Sequence, residues 1–488
     1  MSPVNNRGFL GKKSCKIHLM GIGGAGMSAL AQLLLEKGHK VSGCDMSRSS
    51  YLEKMLHEGV PIFMGHDKTH LEKEAVDLLV YSSAISPQNP ELLYAKETGI
   101  PIAKRAEILS MLFNESIGIG VAGAHGKTTT SSMIAFILDF GGISPSVAIG
   151  GELCDIGGNA KLGEGNHMVA ELDESDGSFE LFQCSIGVVT NIDWDHVDHY
   201  PDIVSVRKSF CRFLQQTKGK SSIILCAADK GVKDLLDCCK IPEGREVVTY
   251  GWDTSCNWQA ANVQHIPGGG VLFTVRHEGK ALGEIRLRLS GNHNALNALA
   301  ACAVGISLGI PFDVVAQGLH GFCGAKRRLQ KVYSQERVLI YDDYGHHPRE
   351  IRATLEALRN IFPDRRLLIA FQPHRYSRTA AMYEDFAQAL AVGDKVFLLP
   401  IYSADESNLW GISSKDIEGS MIQKGYNCTY CNDMEEARER ILQSLGTRDL
   451  ILTLGAGNVN LLGPILQKFL EEEEARKNAV SPVLAKTF

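Results

Sequence analysis

The chain lacks any apolar stretch approaching the ~20 residues of a membrane span. Its first residues, MSPVNNRGFLGKKS, have no apolar core ahead of a cleavage site, so no secretion signal is expected. It also lacks an excess of positive charge. A net charge of −6 gives no global electrostatic reason to expect nucleic acid. The 13 cysteines form no framework: there is one Cys-x-x-Cys, Cys428 with Cys431, and one adjacent pair, Cys238 with Cys239. A zinc site usually needs four ligands at paired spacings. The cysteines are therefore expected to be free thiols of a cytoplasmic protein with no membrane or nucleic-acid partner. No repeat of solenoid period occurs. Nothing here chooses between monomer and homodimer.

What is present is length and alternation. At 488 residues the chain is too long for one core, and its 44% hydrophobic and 22% charged residues are ordinary for a soluble protein. Strand-length apolar runs such as KIHLM, KVSGCD, HMVAELD, IGVVTNID, RVLIYDD and LILTLGAG recur along the chain. Helical runs such as REIRATLEALRNIF separate them. This argues for an α/β protein with parallel sheets. Breaks near Ile117 and Gly321 divide it into residues 1–116, 117–320 and 321–488, the last ending in a loose tail. Between Gly251 and Ser290 short alternating runs predict an antiparallel excursion.

The segment GIGGAGMSAL matches G-x-G-x-x-G, with Gly21, Gly23 and Gly26 in register and Gly24 between them. Asp45 follows 19 residues after Gly26. That arrangement suits a dinucleotide, yet any diphosphate needs the same close approach of backbone. A second loop, GAHGKTT, comprises Gly123, Ala124, His125, Gly126, Lys127, Thr128 and Thr129, set between a strand and a helix. Val121 stands where a Walker loop has its first glycine, but the physics survives: N–H groups and a helix N-terminus face phosphate. Lys127 suits terminal phosphates and the Thr128 hydroxyl suits Mg²⁺. An NAD enzyme needs no such loop, and no hydride-transfer set is evident.

Two strand ends are acidic. VAELDESDGSFE carries Glu171, Asp173, Glu174 and Asp176; TNIDWDHVDHY carries Asp193, Asp195, His196, Asp198 and His199. A hard cation above the loop needs oxygen ligands, and Glu171 and His196 are the first choices. Asn294 and Asn297 share a helix face. Farther on, Arg327, Arg328, Asp343, Tyr344, His346, His347, His374, Arg375 and Arg378 gather near strand ends, as for anion binding.

Taken in order, GIGGAGMS, GAHGKTTT, ELDESDGSF, TNIDWDHVDHY, GNHNALNA, KRRL, DDYGHHP and FQPHRYSRT resemble the Mur ligase family over nearly the whole chain. The resemblance implies three domains: Rossmann-like for UDP, P-loop ATPase-like in the centre, and Rossmann-like at the C-terminus. It implies ATP-dependent ligation of L-alanine to the lactyl carboxylate of UDP-N-acetylmuramate, through an acyl phosphate, in peptidoglycan precursor synthesis. A relative adding another amino acid or a peptide is the alternative. By resemblance Gly21, Gly23, Gly24, Gly26, Ser83 and Arg105 meet the UDP-sugar, and Asp45 need not hold a ribose. Lys127 and Thr128 hold phosphate and Mg²⁺, Glu171 is a Mg²⁺ ligand, and His196 ligates a second metal. Asn294 and Asn297 lie at adenine, Asp343 at ribose, and Arg328 at the ATP phosphates. Tyr344, His346, Arg375 and Arg378 meet alanine and the substrate carboxylate. Where several family members carry a carbamylated lysine, this chain has Phe210 and Cys211, so no carbamate is expected.

Overall fold

The computed structural model describes residues 14–82, 84–153, 158–197, 199–404 and 406–484. Its strands form three separate sheets. The first has five strands in the order Ile62–Met64, Lys40–Asp45, Lys16–Met20, Leu78–Tyr81, Ile102–Lys104, all parallel. The order reverses beside Lys16–Met20. There the chain leaves the sheet through the glycine turn into the helix Ala25–Glu36. Ligands of open α/β sheets bind at such a reversal.

The second sheet has ten strands. Its parallel part runs Glu246–Gly251, Ser222–Cys226, Ile186–Val189, Ile117–Ala122, His167–Glu171, Ser146–Leu153. These strands are apolar on both faces because helices cover both, among them Lys127–Phe140 and Ile203–Gln216. Trp258–His265, Val271–His277 and Lys280–Leu287 form the antiparallel excursion anticipated between Gly251 and Ser290. At the other edge Gly158–Lys161 pairs antiparallel with Ser146–Leu153. This hairpin packs on the helix Ala25–Glu36, where Asn159 Nδ2 donates to Ala25 O and, at 3.1 Å, to Ser28 Oγ. It ties the first domain to the second.

The third sheet runs Gln330–Ser334, Val338–Asp343, Asp449–Leu454, Arg366–Phe371, Lys395–Leu398, Cys428–Tyr430, with Gln330–Ser334 the antiparallel member. The last helix spans Leu462–Leu484 and takes in most of the charged segment at the chain's end.

Among the described residues, the cysteines differ from expectation at one place. Cys211, on the helix Ile203–Gln216, is disulfide-bonded to Cys239, which caps the helix Lys230–Cys238, with Cα atoms 5.5 Å apart. Adjacent helices brought these thiols together from 28 residues apart, a distance at which sequence spacing carries no signal. No described helix is long and apolar enough to cross a membrane.

Candidate active site

The first glycine turn is held by Asp45. Its Oδ2 accepts from Gly23 N at 2.8 Å and its Oδ1 from Ser47 N at 3.1 Å, while Ser49 Oγ donates to Gly23 O. The carboxylate therefore shapes the turn. Arg105, first residue of the helix Arg105–Asn114, lies against Gly26: a Cβ there would come within 2.9 Å of its Nη1. Ser83 lies outside the described residues.

The second turn leaves the strand Ile117–Ala122 and opens the helix Lys127–Phe140. Gly123 has φ +137° and no room for a side chain; a Cβ would sit 2.2 Å from Thr190 Oγ1. His125 N donates to Asn191 Oδ1 at 2.8 Å, which fixes the turn to the neighbouring strand end. Lys127 Nζ folds back over the loop, 2.6 Å from Gly123 O and 3.0 and 2.9 Å from the two oxygens of Glu174. Burial works against its charge, but Glu174, Asp173 and Glu171 outweigh it and raise its pKa. Thr128 Oγ1 donates to Glu171 Oε1 at 3.2 Å, and Gly150 N donates to Glu171 Oε2.

The two residues singled out as cation ligands thus sit in different company. Glu171 is with Thr128, whereas His196 groups with Asp173 and Glu174. His196 has φ +52°, an uncommon conformation for a side-chain-bearing residue. It puts Nε2 3.7 Å from Glu174 Oε1. Burial raises the Asp173 carboxyl, but Lys127, His196 and Arg105 prevail and hold it below the usual range. The smallest of these influences on Asp173, that of Arg105, comes from the first domain.

The third domain closes over this edge. Asp193 accepts from Arg349 Nη1 at 3.0 Å and lies 3.2 Å from His125 Nε2. Asp229 accepts from Arg349 Nη2 at 2.9 Å. Asp195 accepts from Arg378 Nε at 2.9 Å. Glu350 is central: Oε1 lies 3.3 Å from His125 Nδ1 and 3.9 Å from Arg328 Nη1, and Oε2 accepts from His346 N at 3.1 Å. Burial opposes the charge of Glu350, yet His346, His125 and Arg328 hold it well below the usual carboxylate range. His125 is raised to about 9 against burial, by Asp193 and Glu350. Burial pushes His293, His346 and His347 down to about 4 and His374 to about 3.

A cavity of about 250 Å³ lies between the second and third domains. Its apolar wall includes Ala228, Trp252, Leu289 and Leu296; Asn294, Asn297, Arg328 and Asp343 stand on its polar side, and His125, Gly126 and Thr129 open it to the second glycine turn. Asn297 Nδ2 donates to Asn294 Oδ1 at 3.2 Å, so the pair acts as one unit. Asp343 accepts from Leu329 N and Gly345 N, both at 2.8 Å; burial nevertheless raises its pKa, against the pull of Arg328. Tyr344 lies under Arg328, 5.4 Å from ring centroid to guanidinium carbon.

Arg375 is apart from that cavity. It precedes the helix Tyr376–Leu390, and its Nη1 is 3.5 Å from Glu406 Oε1. Arg378 donates from Nη1 to His374 O at 3.2 Å, just before the helix start, and from Nε to Asp195 Oδ1. His346 and His374 meet edge to face, with ring centroids 5.9 Å apart. Sequence reasoning had not singled out Glu350, Arg349, Asp229 or His293. Their signal was weak, since charged residues in a first helical turn read as a solvated face.

Three family models match in order along the chain. These are Mur ligase family, catalytic domain, over residues 16–116; Mur ligase middle domain over 121–305; and Mur ligase, glutamate ligase domain, over 327–457. The chain is similar to the UDP-N-acetylmuramate–L-alanine ligase of Desulfatibacillum aliphaticivorans, 41% identical over 93% of this chain and 98% of that one. It is 42% identical to the ligase of that name from Desulforamulus reducens, over 94% and 99% of the two chains. Among solved structures, the UDP-N-acetylmuramate–alanine ligase of Thermotoga maritima superposes with a TM-score of 0.79 at 28% identity, over 94% of this chain and all of that one.

Proposed function

This chain belongs to the Mur ligase family, and we propose that it joins L-alanine to the lactyl carboxylate of UDP-N-acetylmuramate with hydrolysis of ATP, in peptidoglycan precursor synthesis. The carrying observation is identity of about 41% to ligases of that activity over nearly the full chain. The convergence of the phosphate turn, two acidic strand ends and third-domain cations on one edge supports it. We infer a cytoplasmic enzyme whose domains divide near residues 116 and 320.

The physical problem is that a carboxylate resists attack by an amine. Transfer of the γ-phosphate gives an acyl phosphate, whose phosphate leaves readily. The carboxylate and the triphosphate repel, so the first step needs positive charge. Lys127 brings one charge at the phosphate turn, and Arg328 brings another from the third domain. Gly123, Ala124, His125, Gly126, Thr128 and Thr129 wrap the phosphates. Asn294 and Asn297 take the adenine side of the cavity and Asp343 the ribose. The oxygen pair of Thr128 and Glu171 fits Mg²⁺, a hard cation that keeps most of its waters. His196, with Asp173 and Glu174, is the candidate for a second ion. Bound there, the metal supplies positive charge to the transferring phosphoryl group.

Gly21, Gly23, Gly24 and Gly26, with Arg105, take the UDP diphosphate. Ser83 is assigned to the same sugar nucleotide. Tyr344, His346, Arg375 and Arg378 are assigned to alanine and the lactyl carboxylate. His346, at about 4, is neutral near pH 7. So weak a base orients the alanine amine by accepting a hydrogen bond but does not carry its proton away.

The test is phosphate release from ATP with UDP-N-acetylmuramate and each amino acid in turn, and with a tripeptide. Release with L-alanine is expected; release with a tripeptide alone would overturn the proposal. ¹⁸O placed in the lactyl carboxylate should appear in the released phosphate.

A further inference from the structure

The first domain holds a second group of ligating atoms that the ligation does not use. His18 lies on the strand Lys16–Met20, Cys44 on Lys40–Asp45, and Glu91 in the first turn of the helix Pro90–Thr98. His66 and His70 follow the strand Ile62–Met64. His18, Cys44 and Glu91 have no solvent exposure. His18 Nδ1 is 2.9 Å from Ser42 Oγ, which turns Nε2 inward. That Nε2 is 3.2 Å from Glu91 Oε2 yet has no hydrogen-bond partner. Cys44 Sγ is 3.3 Å from Glu91 Oε2, and His70 Nδ1 is 3.1 Å from Glu91 Oε1.

One atom from each of His18, Cys44, His70 and Glu91 lies within 4.8 Å of the other three. Donors at 2.0–2.3 Å from a tetrahedral ion stand roughly 3.3–3.8 Å apart. Cys44 and His70 hydrogen-bond to Glu91 whereas His18 Nε2 does not, and the four side chains crowd to such distances around a common point. We propose that His18 Nε2, Cys44 Sγ, His70 Nδ1 and Glu91 form a structural site for a divalent ion of the zinc class.

The donor set selects the ion. Two imidazoles and a thiol are wrong for magnesium or calcium and right for zinc. Two neutral imidazoles, one thiolate and one carboxylate carry two negative charges, which the ion cancels. On binding, the Cys44 S–H bond breaks, a sulfur–metal bond forms, and the proton leaves to solvent; a protonated imidazole gives up its proton likewise. Four protein donors close the coordination, which suits structure rather than catalysis. Ser42 orients His18 from behind, as partners of metal-bound histidines do. His66, 3.3 Å from Cys44 Sγ and partly exposed, stands on the solvent side.

The site bears on the glycine turn. Cys44 O accepts from Gly21 N at 2.8 Å and Ile22 N at 3.2 Å, and the next residue is Asp45. An ion that fixes Cys44 fixes the backbone on which the diphosphate turn hangs.

The experiment is metal analysis of the full chain purified from zinc-supplemented medium, then cobalt(II) chloride titration of chelator-treated protein. About one zinc per chain is expected, and cobalt should give a near-ultraviolet thiolate-to-metal band. Cys44→Ser should abolish the band, and His70→Ala should weaken zinc affinity by roughly 10- to 100-fold or more. Cys323→Ser, at an exposed cysteine, should change neither. Zinc-free wild-type protein, or a cobalt spectrum without the thiolate band, overturns the proposal. So does a band that survives Cys44→Ser. The wild-type arms decide the matter even if a variant fails to fold, and none depends on ligase activity.

Discussion

Arg378 Nε and Nη2 both reach Asp195 Oδ1, at 2.9 and 2.8 Å, across the boundary between the third and second domains. Both side chains are almost wholly buried. Burial opposes the charge of Asp195, but Arg378, with His196 and His346 behind it, holds the carboxyl well below its usual range. Breaking such a pair costs more than its net worth, because the survivor stays buried and unpaired. The pair joins the TNIDWDH segment to FQPHRYSRT, so the residues proposed for alanine are set by contact with the loop that carries His196.

Arg378→Lys keeps the charge and loses the fork. If Arg378 holds the alanine carboxylate, kcat/KM for alanine falls about 10- to 150-fold, from roughly 1.5–3 kcal/mol of charge-assisted contact. The KM for ATP should change far less. Steady-state kinetics on all three substrates checks this; equal losses on each would assign Arg378 to Asp195 alone.

Lys127→Ala should lower turnover by on the order of 10²–10³ or more, as loss of a charge-stabilising donor does. It also strands Glu174, 3% exposed. Adding Glu174→Gln should recover melting temperature without recovering turnover. A double variant as active as wild type would remove Lys127 from the chemistry.

The histidines set a pH window. His125 is raised from 6.5 to about 9, so its contribution is complete below pH 6.5 and is lost as pH rises through 9. A shift of that size corresponds to about 3 kcal/mol as an upper figure. His293, His346 and His347, lowered from 6.5 to about 4, act with the opposite sign: their contribution is complete above 6.5 and is lost as pH falls toward 4. Melting temperature should fall on both sides of neutrality. His125→Gln should flatten the alkaline limb and soften the acid one only through His347, whose charge His125 also opposes; calorimetry across the range will read both.

Arg349 spans Asp193 and Asp229 and is half exposed. Arg349→Ala should free the third domain to open. Small-angle scattering should give a larger radius of gyration for the unliganded variant than for wild type. ATP with UDP-N-acetylmuramate should compact both. Identical curves with and without ligands would contradict a closure mechanism.

The two glycine turns were legible from their glycines: Gly21, Gly123 and Gly126 take positive φ, and a Cβ at Gly23 or Gly26 would meet Asp45 or Arg105. The parallel strands were legible for a related reason: burial on both faces writes unbroken apolar runs such as IGIGVA. The hairpin Ser146–Leu153 with Gly158–Lys161 was not, since SVAIGGEL has no clean alternation and its Gly150-Gly151 pair reads as a turn where the structure has a strand. Glu350 and Arg349 were hidden for a different reason. They sit in the first turn of an amphipathic helix, and docking against the second domain alone turns that end inward. Glu171 and His196 were recognised as chemically apt, but their separate partners depend on how two strand ends splay in space.

Glu174 gives the second glycine turn a tethered anion of its own. Its two oxygens already satisfy the Lys127 ammonium at 2.9 and 3.0 Å. On the proposed reading, a nucleotide arrives as a competitor for an occupied cation, and its apparent affinity is the difference between two carboxylate bonds and the phosphate bonds that replace them. The displaced carboxylate is set free within reach of His196. Nucleotide entry and cation capture at the His196 group are coupled on that reading, because Glu174, already a member of that group, loses its ammonium partner when the nucleotide takes Lys127.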